Sequence, residues 1–163
     1  MTATALGPLA MRIGSGLKAA GLTLATAESC TGGWVAEVVT SVSGSSEWFD
    51  RGFVTYSNEA KREMLGVAEA TLMRSGAVSE EAAREMAAGA IAHSRAGVAV
   101  AITGVAGPTG GTPAKPVGMV CFAWALRGGV VESETCRFDG DRESVRRQSV
   151  VHALEGVLAR VGR

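Results

Sequence analysis

Residues 98–103, Val-Ala-Val-Ala-Ile-Thr, form a near-continuous apolar run that empties directly into Gly104-Val105-Ala106-Gly107-Pro108-Thr109-Gly110-Gly111. A run without polar alternation is the pattern of a strand buried on both faces, so its sheet needs helices above and below. The remaining segments supply them. Residues 8–20 carry Leu9, Ile13 and Leu17 at helical spacing and stop at Gly21, although Gly14 and Gly16 weaken the pattern. Residues 22–27 read as a short strand running into Glu28-Ser29-Cys30-Thr31-Gly32-Gly33, and residues 34–42 as a helix.

A strand is expected over 48–56. Helices are expected over 59–65, capped by Ser57 or Asn58, then over 68–74, then from Ser79 to about residue 95. Residues 117–126 and 130–138 flank Arg127-Gly128-Gly129 as an antiparallel hairpin. Asp141 caps a last helix with Val145, Val151, Leu154, Leu158 and Val161 as its apolar stripe. The order implies an α/β fold with a mixed sheet, covered by helices on both faces and closed by a C-terminal hairpin plus helix.

Length and composition narrow the function classes. The 163 residues suit a single domain over 1–163, and with 5% aromatics the packing must rest on Ala, Val and Leu. The formal charge is zero with no run of Lys or Arg, which argues against a nucleic-acid partner. Three cysteines without metal-type spacing suit a reducing compartment. Residues 1–10 lack a signal-peptide pattern and no segment approaches 18 uninterrupted apolar residues, so a cytoplasmic chain with no membrane partner is expected.

In such a sheet, ligands bind beyond the carboxyl ends of the strands. Three segments reach that position: 28–33, 56–61 and 103–111. Ser29 sits in a strand-to-helix turn whose amides, those of Thr31, Gly32 and Gly33 included, can hold an oxyanion. The alternative, that Ser29 or Thr31 merely caps the helix, stays open at this point. A serine nucleophile needs a base. His93 and His152 fall inside helices away from these loops, whereas Lys61 lies in the first turn after Tyr56, where burial can leave a neutral amine; Tyr56 can then relay or orient the proton. The competing reading is a solvated lysine beside Arg62. Thr103 and Gly104 end the buried strand and can hold a polar ligand group, while their loop lacks the Gly-Lys-Ser/Thr ending of a P-loop. Cys30 is read as packed and inert, and of Arg142, Arg146 and Arg147 one can meet a phosphate while at least two form a solvated face.

Taken together, residues 27–33 (Ala-Glu-Ser-Cys-Thr-Gly-Gly), Gly44-Ser45-Ser46, Val54-Thr55-Tyr56-Ser57-Asn58 with Lys61, Gly76-Ala77-Val78-Ser79, Thr103-Gly104-Val105-Ala106-Gly107-Pro108 and Lys115-Pro116-Val117-Gly118 resemble the CinA C-terminal domain family, which includes nicotinamide mononucleotide amidohydrolases. The resemblance spans residues 9–158. It implies a three-layer α/β/α sandwich with a mostly parallel sheet, and hydrolysis of nicotinamide mononucleotide to nicotinic acid mononucleotide and ammonia in pyridine nucleotide recycling. It carries Ser29 over as nucleophile and Lys61 as base, with Tyr56 and Thr103 in support. It assigns substrate contacts to Glu28, Thr31, Gly32, Gly33, Gly104, Gly107 and Arg142. No metal or organic cofactor is implied, and a homo-oligomer is expected. Ser43 and Gly97 depart from the family pattern, which has Pro and Asp there; neither lies in a catalytic motif. The rival reading is a non-catalytic nucleotide-binding or competence-associated module that keeps the pocket without turnover.

Overall fold

The computed structural model of the chain describes residues 4–162; residue 163 and residues 1–3, part of the segment read for a targeting signal, lie outside it. The elements run α1 (Leu6–Ala20), β1 (Leu24–Glu28), α2 (Trp34–Thr40), a 3-10 turn (Ser45–Glu47), β2 (Phe49–Val54), α3 (Asn58–Leu65), α4 (Glu69–Ser75), α5 (Glu80–Ala92), β3 (Val98–Gly104), β4 (Met119–Leu126), β5 (Val131–Arg137) and α6 (Arg142–Val161). The sheet order is β2-β1-β3-β4-β5. β1 pairs in parallel with both β2 and β3, and β3, β4 and β5 pair antiparallel in turn. This is the expected mixed sheet with a terminal hairpin, and α1, α2 and α6 cover one face while α3, α4 and α5 lie on the other.

The strands sort their side chains by size, because successive residues point to opposite faces. Leu24, Val98, Val100, Ile102, Val120, Phe122 and Trp124 join α1, α2 and α6 in one core cluster. Ala25, Ala27, Ala99, Ala101, Ala123 and Ala125 face α5, whose own contribution is Ala83, Met86, Ala87 and Ala90. The first face supplies the large apolar burial, about 1.5–3 kcal/mol for each Val, Leu, Ile or Phe relative to exposure. The second lets a helix lie close to the sheet. That closeness continues outward: a Cβ on Gly89 of α5 would sit 1.9 Å from the carbonyl oxygen of Leu65, the last residue of α3.

Several local expectations meet a tertiary reason to differ. Gly14 does not weaken α1, because a Cβ there would lie 2.7 Å from the buried Trp48 ring, so the helix needs the gap. β2 ends at Val54 and leaves Tyr56 in the loop beyond it. α5 ends at Ala92 rather than near residue 95. On α6 the buried stripe is Val145, Val150, Ala153, Leu154, Val157 and Val161, while Val151 and Leu158 are only half-buried, so the helix is rotated relative to the expected face. At Gly97 a Cβ would meet the tip of Leu22 at 2.5 Å, which fits glycine at that position.

Candidate active site

β1 delivers Glu28 and Ser29 to the carboxyl end of the sheet, and the chain must then turn sharply into α2. Gly32 and Gly33 make the turn with φ of 60° and 102°, a region that side chains disfavour. Neither Ser29 nor Thr31 caps α2. The cap is Glu28, whose buried carboxylate accepts from the Val35 amide (2.9 Å), the Ala36 amide (3.0 Å) and the Thr31 hydroxyl (2.6 Å). A carboxylate at a helix N-terminus is favoured by the unpaired amides and the helix dipole. Glu28 and Thr31, both expected to contact substrate, are tied to one another and to the helix start, and Thr31 also lines the larger hollow described below. The Gly32 amide is likewise spent, donating to the Ser29 carbonyl at 3.0 Å.

Ser29 is left facing a cavity of about 300 Å³, lined also by Cys30, Lys61, Val78, Thr103 and Gly107. Lys61 projects into it from α3, which starts at the cap of Ser57 on the Ala60 amide. Its Nζ donates to Ser29 Oγ at 2.9 Å, to the Thr55 carbonyl at 2.9 Å and to the Tyr56 carbonyl at 3.3 Å. The solvated-lysine reading is excluded: Lys61 is 1% exposed. Burial holds its amine below the ordinary lysine range, because removal from water penalises the charged form and the described residues include no carboxylate paired with it.

Tyr56 lines the same cavity. The residue is 62% exposed and its phenol oxygen accepts from Arg142 Nη2 at 3.2 Å, so the group it offers Lys61 is its backbone carbonyl. Arg142 also donates through Nη1 to the Gly107 carbonyl at 2.8 Å and so straps the 104–111 loop to the β2–α3 loop across the cavity mouth. Thr103, buried, donates its hydroxyl to the Ala77 carbonyl at 2.8 Å and lines the cavity. Gly104 closes against β4, where a Cβ would meet Val120 at 2.8 Å.

Arg146 and Arg147 are not a solvated face. Arg146 donates to the Cys30 and Thr31 carbonyls and lies over the Trp34 ring, and Arg147 donates to the Thr4 carbonyl. Burial pushes the Cys30 thiol up to about 12, so it is no thiolate nucleophile. Asn58, Ala77 and Val78, which the sequence offers within family motifs but not as site residues, also line the cavity. A second, larger hollow of about 670 Å³ lies beside the first, with Gly32, Gly33, Trp34, Glu37 and Arg146 on its wall and Arg142 shared between the two. It carries no nucleophile with a base. Among the described residues lining the smaller cavity the permanently charged side chain is that of Arg142, a cation, which favours an anionic ligand group near it. No helix of the described residues is long and apolar enough to cross a membrane.

The chain is similar over nearly its whole length to proteins of one kind. It is 56% identical over 156 residues to the nicotinamide-nucleotide amidohydrolase PncC of Escherichia coli strain K12, covering 95% of this chain and 94% of that one. It is 55% identical over 150 residues to the protein of the same name from Pseudomonas putida, covering 92% and 93%. The crystal structure of competence/damage inducible protein CihA from Agrobacterium tumefaciens superposes with a TM-score of 0.94 at 46% identity, over 100% of both chains. A CinA superfamily protein from Klebsiella pneumoniae follows at 0.93 and 40% identity, over 98% and 99%. The family model of the CinA C-terminal domain matches residues 7–161, and this chain belongs to that family.

Proposed function

We propose that the chain hydrolyses the carboxamide of nicotinamide mononucleotide to nicotinic acid mononucleotide and ammonia, with Ser29 as nucleophile and Lys61 as its base. The observation that carries the mechanism is the 2.9 Å contact between a buried lysine nitrogen and a serine oxygen; the substrate is the one that the similar amidohydrolases are named for.

A neutral amine has two N–H bonds and one lone pair. In that state the carbonyls of Thr55 and Tyr56 take the two bonds and the Ser29 contact reverses, the hydroxyl donating to the lone pair, whereas the ammonium donates to all three oxygens. Ser29 gives its proton to Lys61 as its oxygen attacks the carboxamide carbon. The oxyanion formed is held by backbone donors at the turn. With Gly32 spent, the amide of Cys30, which follows the nucleophile and lines the same cavity, takes that part. The ammonium of Lys61 then protonates the departing nitrogen, and ammonia leaves. Water, losing its proton to Lys61, attacks the acyl-serine; the acid product departs and the proton returns to the Ser29 oxygen. Arg142, at the boundary of the two hollows, meets the substrate phosphate as a fixed guanidinium.

The test is incubation of purified protein with nicotinamide mononucleotide, following ammonia and nicotinic acid mononucleotide together, with Ser29→Ala alongside. Stoichiometric release by the wild type and none by the variant is expected. Ligand binding without release by the wild type would establish a binding module in place of an enzyme.

A further inference from the structure

Far along α6 from the catalytic cavity, the chain assembles a set of side chains that the reaction does not use. Glu134 and Cys136 stand two positions apart on β5, hence on one face of the strand. His152 rises toward them from α6. A carboxylate oxygen, the Cys136 sulfur and His152 Nε2 all lie within 4.8 Å of one another, and the group is half-buried. It is the one group of three such residues among the described residues.

We infer that Glu134, Cys136 and His152 form a binding site for a zinc-class divalent cation, which completes its shell with water. One distance already matches a tetrahedron. With metal–sulfur and metal–nitrogen bonds near their usual lengths, the ligand atoms of a zinc site stand roughly 3.3–3.6 Å apart. Here Cys136 Sγ is 3.4 Å from His152 Nε2, inside that range, and 4.0 Å from Glu134 Oε1, an edge that must shorten. The third edge is shorter, since Glu134 and His152 are in direct contact as a hydrogen-bonded pair. Glu134 is the member that can yield, because its side chain is 46% exposed.

The histidine cannot easily turn away. Its ring packs 4.6 Å from Phe122, with Trp124 and Phe138 on its flanks, so Nε2 is presented outward by an aromatic setting. That preorganisation removes part of the entropy a metal site must otherwise overcome. The charges also balance. Binding releases the Cys136 thiol proton to solvent, and the resulting thiolate with the Glu134 carboxylate offsets the two positive charges of the cation. Sulfur and imidazole ligands select zinc-class ions over magnesium or calcium. Such a cation clamps the edge strand β5 to α6.

The probe is cobalt(II), titrated into untagged protein stripped with a chelator, with absorbance read. A saturating signal at one equivalent is expected, with a thiolate-to-metal charge-transfer band and the d–d bands of a tetrahedral site, displaced by zinc. Cys136→Ser should abolish the charge-transfer band, Glu134→Gln should weaken zinc binding at least about tenfold, and Cys121→Ser should change neither. Zinc should raise the Tm of the wild type and not of Cys136→Ser. Absence of saturation at one equivalent, or a band that survives in Cys136→Ser, overturns the inference and leaves an ion pair beside a thiol. Deamidation is not a readout, so this result and the proposed activity stand or fall separately.

Discussion

Glu28 and Ser29 are consecutive, and the first holds the turn from which the second faces the cavity. The Glu28 carboxylate takes three donors at the start of α2, while Ser29 Oγ meets Lys61. Fixing α2 by a residue of β1, rather than by a cap of its own, makes the geometry at Ser29 depend on a buried anion.

Glu28→Gln replaces one acceptor oxygen by an amide nitrogen facing backbone N–H groups. Loss of a hydrogen bond to a charged group costs about 1.5–3 kcal/mol, so urea unfolding should show a destabilisation of that order, with reduced kcat under conditions where the variant is still folded. Unchanged stability would mean that the three bonds are not what holds the turn.

The roles assigned to Ser29 and Lys61 separate by the variant chosen. Lys61→Met should lower kcat by about 10² to 10⁴, the usual yield of a general base. Lys61→Arg keeps the charge and should do no better, because a guanidinium does not give up its proton. Single-turnover kinetics of both, with circular dichroism to check the fold, decide it. An active Lys61→Arg enzyme would make Lys61 an electrostatic partner only.

Activity should rise with pH along a single-proton limb. The base is the neutral amine, and burial holds the Lys61 value below the ordinary 10.5, so the neutral fraction grows as pH climbs through that lowered value and then levels. The sign for stability is the same: between the lowered folded value and the ordinary unfolded one the unfolded chain binds more protons, and the contribution of Lys61 to stability improves as pH increases. The measurement is kcat/KM against pH; a limb at the ordinary lysine value would show that the amine is not perturbed.

Gly89→Ala should destabilise the fold and slow the reaction together. The added carbon would stand 1.9 Å from the Leu65 carbonyl, a backbone atom that cannot swing aside, and overpacking of this kind costs about 1–3 kcal/mol. The displaced element is α3, which carries Lys61 one turn before Leu65. Gly7→Ala in α1 is the control: apart from its chain neighbours and the helix's own backbone, no atom lies within 4 Å of its added carbon, so no other element has to move and kcat should be unchanged. Thermal denaturation and kcat of the two variants test the contrast.

Three helix starts were legible without coordinates. Ser57, Ser79 and Asp141 each accept from the amide three residues on, at 3.0, 3.1 and 2.9 Å. Side chain and amide lie within one turn, so local sequence decides the bond. The buried strand β3, the glycine turn at 32–33 and the β4–β5 hairpin are legible for the same reason. The start of α2 at residue 34 was legible too, but its cap was not, because it acts over seven and eight positions. Nor were the partners of Tyr56 and Arg142, which are 86 positions apart, or the rotation of α6, which its packing against α1 and the sheet sets.

By itself, then, the sequence determined which segments are helix or strand, where most of them begin, and which serine and lysine were candidates, because each rests on periodicity, glycine geometry or a contact within one turn. The tertiary structure decided that Lys61 is buried on Ser29 across 32 positions, that Glu28 holds the start of α2, and that Glu134, Cys136 and His152 meet. Those facts follow from parallel pairing of β1 with β2 and from the seating of α6, and pairing and packing join residues whose spacing along the chain carries no trace of the meeting.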